Sequence, residues 1–102
     1  MTAYNVVRFR VKPGKDQAFI DSQRSIAGRQ MKGFLGGSLI KTGDRTYCLI
    51  GQWTSFADIV DARPAMISIL DESRSLLEDL GEGLGVTDPV SGETVVELPA
   101  SP

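Results

Sequence analysis

The chain has 102 residues, of which 41% are apolar and 24% charged, and its formal charge is −2, which fits one soluble globular domain around one core. Histidine is absent and Cys48 is the one cysteine. This excludes a histidine-bearing zinc site, a Ser-His-Asp triad or Cys-His pair within one chain, and an intrachain disulfide. No apolar run reaches the roughly 18 residues of a membrane span, and the opening MTAYNVVRFR has no hydrophobic signal core, so a cytoplasmic setting is expected.

The alternation in residues 4–11, YNVVRFRV, predicts a first strand. It puts Asn5, Val7, Phe9 and Val11 on the core face and Tyr4, Val6, Arg8 and Arg10 on the other. Pro13-Gly14 ends it. Residues 15–31 read as a helix with Phe19, Ile20, Ile26, Ala27 and Met31 on one face, closed by Gly33. Residues 34–42, FLGGSLIKT, predict a second strand with a bulge or close backbone approach at Gly36-Gly37. A hairpin turn at 42–45 leads to a third strand, 46–53, TYCLIGQW. One face of it carries Tyr47, Leu49, Gly51 and Trp53, the other Thr46, Cys48, Ile50 and Gln52. Both faces are largely apolar, so cover is expected on both sides, the second supplied by a partner subunit.

Ser55, three residues before Asp58, is a candidate N-cap. Pro64 disfavours helical geometry at Arg63, so a short helix over 55–62 and a longer one over 64–80 are expected. Five turn-formers within 81–93 precede a last strand over 94–98, TVVEL, and a frayed tail at 99–102. The order βαββαβ predicts an α+β, ferredoxin-like fold: a four-stranded antiparallel sheet with both helices on one side, in a single domain spanning 1–102.

Charge is uneven. Residues 1–45 carry nine basic and three acidic groups, and residues 46–102 carry two basic and ten acidic. With no aromatic stacking pattern or nucleic-acid motif beside the basic residues, the halves are expected to neutralise each other and not to bind nucleic acid. Arg24, Arg29 and Lys32 would face Asp71, Glu72, Glu78 and Asp79 across the helices.

The strings VRFRVKPGK, GFLGGSLI and YCLIGQWTSFADI resemble the antibiotic biosynthesis monooxygenase domain of the dimeric α+β barrel superfamily. The resemblance covers roughly residues 4–80. Three features carry it: Pro13-Gly14 after an Arg-bearing strand, Gly33-Phe34 opening the second strand, and Trp53-Thr54-Ser55 closing the third and capping a helix. The resemblance implies a homodimer closed through its sheet faces. It also implies cofactor-independent oxygenation, with neither metal nor flavin, of a phenol, quinol or anthrone whose own carbanion or phenolate reduces dioxygen. Heme-degrading relatives use an Asn, a Trp and an axial His at positions that fall near Val7, Ile59 and Ile69, which argues against that mechanism. In the anthrone-oxidising branch an Asn lies four residues before the strand Trp, where this chain has Leu49. The alternative function is a non-catalytic binding or stress-associated homodimer whose barrel is filled by side chains.

Trp53, Arg8 and Tyr47 are the candidate substrate-binding residues. Trp53 has an indole N–H to donate, or anchors a strand end. Arg8 suits an acidic or phenolate substrate, or an intersubunit ion pair. Tyr47 offers a phenolic donor, or packs its ring. Cys48 has no histidine to activate it and reads as an apolar filler. Gly81-Glu82-Gly83-Leu84-Gly85 follows a helix and not a strand, so it reads as a linker and not a phosphate loop. No catalytic residue is assigned.

Overall fold

A computed structural model of the chain describes residues 1–101; Pro102, the last residue of the expected tail, lies outside them. The elements are β1 (Ala3–Arg10), α1 (Asp16–Arg24), β2 (Phe34–Gly43), β3 (Thr46–Trp53), α2 (Phe56–Ser73) and β4 (Asp88–Glu93), with 3-10 turns at Ser25–Gly28 and Arg74–Leu76. All strand pairs are antiparallel and the sheet order is β2-β3-β1-β4, the ferredoxin-like arrangement.

Strand alternation sorts the sheet into two faces. Toward the helices point Ala3, Asn5, Phe9, Tyr47, Gly51 and Trp53, all buried. Phe9, Val11, Phe19, Tyr47 and Leu77 form one core cluster; Ala3, Trp53, Ile59 and Ala62 form a second. The bulge comes at Gly36, whose φ of 131° suits glycine, and the β2–β3 register shifts beside it.

Three elements depart from expectation. α1 stops at Arg24, seven residues short of Met31. Ser22 Oγ donates to Phe19 O and Ser25 Oγ to Ser22 O, bonds that compete with the helical ladder, and the backbone is extended by Arg29. Gly33 therefore closes no helix. Its φ is 82°, and an added Cβ would collide with the Asp58 carboxylate and Thr54 Oγ1. α2 runs unbroken through Pro64. The proline and Val60, whose carbonyl loses its N–H partner, are both exposed, so water can take that carbonyl. The helix ends at Ser73, because Leu77 turns into the core opposite Val11.

The last strand is 88–93 and not 94–98. β1 begins at Ala3, opposite Glu93, and Thr94 N–H donates to Thr2 O at 2.8 Å. Beyond that no backbone of β1 remains to pair. Val95 and Val96 are 86% and 69% exposed despite their β propensity. Pro89 is tolerated because β4 is an edge strand. Across the helices Arg29 pairs with Glu72 at 2.8 Å and Lys32 reaches Asp58, whereas Glu78 pairs with Arg45 at the hairpin tip. No helix among the described residues is long and apolar enough to cross a membrane.

Candidate functional site

The helix-facing side of β1 and β3 carries two polar side chains that meet. Trp53 Nε1 donates to Asn5 Oδ1 at 2.7 Å, and both residues are buried. An indole N–H can only donate, so the amide oxygen must face it and Asn5 Nδ2 must point away. That nitrogen lies 3.8 Å from Met66 Sδ, a weak acceptor on α2. Gly51 makes the space. It stands opposite Asn5 in the ladder, and a Cβ there would collide with Asn5 Oδ1 and crowd Trp53 Nε1 at 3.2 Å. Phe34 stacks tilted on Trp53 with ring centroids 5.0 Å apart.

This pair forms part of the wall of a cavity of about 430 Å³ between the sheet and the helices. Val7, Phe34, Leu49, Ile59, Met66 and Leu70 supply much of its apolar lining. Asn5, Gln23, Ser73, Thr87 and Ser91 are its neutral polar groups, and among the described lining residues there is no carboxylate. Gln23 Oε1 is buried with no hydrogen-bond partner. The volume suits a small organic molecule, and the largely apolar walls strengthen a hydrogen bond made inside.

The three residues singled out from sequence occupy three places. Trp53 is in the cavity wall, 1% exposed, its N–H already engaged by Asn5. Tyr47 packs at 5.4 Å on Phe19 beside an open groove of about 790 Å³ between α1 and the β2–β3 hairpin. Its hydroxyl donates to Asp16, and that bond, with burial and the nearby charges of Asp16 and Asp44, pushes its pKa up to about 12. Arg8 lies on the opposite face of the sheet, where it pairs with Asp88 at 2.9 Å. The structure therefore does not bring Arg8 to Trp53. Asn5 is the residue that sequence reasoning left out of the site. Its signal was a polar side chain in the core-facing set of β1.

α2 begins on a cap: Ser55 Oγ accepts from Asp58 N–H at 3.2 Å. Hydrogen bonds from Thr54 and Ser55, with Lys32 nearby, hold the Asp58 carboxyl below its usual range.

The family model for antibiotic biosynthesis monooxygenase matches residues 2–63. No curated protein matches the sequence. Among solved structures, SnoaB, a cofactor-independent oxygenase from Streptomyces nogalater, is similar at a TM-score of 0.66 and 19% identity, over 97% of this chain and 98% of that one. Rv0793 from Mycobacterium tuberculosis is similar at 0.73 and 13%, over 97% and 100%. A protein of unknown function from Nitrosomonas europaea is similar at 0.72 and 19%, over 98% and 96%. At these identities the structural likeness speaks for the fold.

Proposed function

The chain belongs to the antibiotic biosynthesis monooxygenase family, and from that premise we propose that it oxygenates a small aromatic molecule, a phenol, quinol or anthrone, without a cofactor. The observation that carries the proposal is the Trp53–Asn5 hydrogen bond at the wall of an apolar cavity. Trp53 acts as a positioning residue. It fixes the amide with Asn5 Nδ2 toward Met66 Sδ, a weak acceptor that a developing oxyanion in the cavity would displace.

For an anthrone the chemistry balances without an added reductant. The reacting CH₂ loses a proton, and the carbanion passes one electron to dioxygen. The radical and superoxide join in a new C–O bond. The resulting peroxide takes up a proton, and loss of water leaves a carbonyl. One oxygen atom stays in the product and the other departs as water. No carboxylate lines the cavity among the described residues, so the first proton goes to water, and the Asn5 donor favours that step by stabilising the enolate.

A homodimer belongs to the same proposal. The sheet face away from the helices carries Val6, Ile40, Cys48, Ile50 and Val90, and Ile40 and Val90 are 43% and 65% exposed in the single chain. A second copy on that face would bury an apolar surface that one chain leaves wet.

Oxygen uptake with a panel of anthrones and quinols tests the proposal. Uptake above the buffer rate is expected with at least one member. Asn5→Ala should lower it on the order of 100-fold, as loss of an oxyanion donor does. Trp53→Phe, which frees the amide to turn, should lower it less. Background uptake across the panel would end the proposal.

A further inference from the structure

Among the described residues that line the cavity, Arg63 alone carries a charge. It follows Ile59 by one turn of α2 and precedes Met66 by one, so it shares their cavity-facing stripe. It is exposed, with its guanidinium 5.9 Å from the Phe56 ring centroid, which places it at the mouth and not in the depth. No carboxylate among the described residues lies within ion-pair distance of it. The rest of the lining is neutral and largely apolar.

An unpaired cation at the mouth of a neutral cavity has one chemical preference. A neutral aromatic molecule gains burial only, whereas one bearing an anionic oxygen gains burial and a charge-assisted hydrogen bond. The spacing suits a fused or single ring. Residues three apart on a helix have Cβ atoms about 5–6 Å from each other, so Arg63 sits one side chain away from Met66, whose sulfur is 3.8 Å from Asn5 Nδ2. We propose that the cavity selects an aromatic acid, its carboxylate held by Arg63 and its ring laid along Met66 toward the Asn5 amide. This inference rests on the cavity being the substrate site. It adds the charge of the molecule and the residue that reads it.

Calorimetric titration with 2-naphthoate and its neutral isostere 2-naphthamide tests it. Naphthoate should bind the wild-type protein about fivefold tighter or more, and added salt should weaken naphthoate alone. Arg63→Gln should abolish the preference by weakening naphthoate more than naphthamide, and Arg63→Lys should restore part of it. Circular dichroism checks that the variants fold, which the exposed position favours. Equal affinities in the wild type, or a preference that survives Arg63→Gln, overturns the charge selection and leaves the cavity as an aromatic site. Binding of neither probe overturns the aromatic site as well.

Discussion

Gly51 stands opposite Asn5 across the β1–β3 ladder, and the space of its missing Cβ is where the Asn5 amide oxygen meets the Trp53 indole. One glycine in the middle of a strand thus sets a hydrogen bond between two other strand residues. It costs strand propensity there and gains a buried polar pair in return.

Gly51→Ala should push that pair apart. The methyl group would enter a closely packed wall, a change that typically destabilises by about 1–3 kcal/mol. Trp53 is the one tryptophan, so its emission reports the site directly. A lower urea midpoint and a shifted emission maximum are expected. If both stay at their wild-type values, the packing around Gly51 is not as tight as the structure has it.

Tyr47 makes an alkaline prediction. Its hydroxyl is held protonated by Asp16, with a folded-state pKa of about 12 against an ordinary value of 10.0. Below pH 10 the phenol is protonated in both states and its contribution is fully present. Between about pH 10 and pH 12 the unfolded chain releases the proton and the folded one keeps it, so stability falls. Tyr47→Phe should remove that part of the alkaline loss, seen as a smaller drop in urea midpoint from pH 9.5 to pH 11.5. An unchanged pH profile in the variant would contradict the Asp16 bond.

Asp58 acts at the other end of the scale. Its folded pKa lies below the usual 3.8, so it stabilises the fold above that value and the contribution is lost as the pH drops through the folded pKa. Asp58→Asn should flatten the acid limb of the stability curve. Ser55→Ala removes the cap itself and should cost about 1 kcal/mol at neutral pH. A Ser55→Ala midpoint equal to wild type would show that the α2 cap is not held by this side chain.

How much of this was legible in the sequence follows from how local each signal is. The third strand matches its predicted bounds because Trp53-Thr54-Ser55 carries a strand end and a cap in three adjacent residues. The early end of α1 was hidden because it depends on which way the Ser22 and Ser25 hydroxyls turn. TVVEL is the better strand by propensity, but pairing is decided by where β1 runs out, a property of another segment. The site divides in the same way. Trp53 and the core-facing Asn5 could each be placed on a strand face from alternation. Their meeting depends on the β1–β3 register and on the gap at Gly51, neither of which adjacent residues encode.

The sheet's open face makes the last prediction. Val90, Val6 and Ile50 form a row across β4, β1 and β3, and the next row holds the Asp88–Arg8 ion pair beside Cys48 and Ile40. Ile50 is central in this surface and half-buried in the single chain, so a charge there reaches water in a lone subunit but not in a pair joined by their sheets. Ile50→Arg should therefore split the assembly while leaving the helix-facing core intact. Sedimentation at micromolar concentration should show two chains for the wild type and one for the variant, with circular dichroism confirming that the variant is folded. A wild-type protein that sediments as a folded single chain, or a variant that still pairs, would mean that this face does not join two copies.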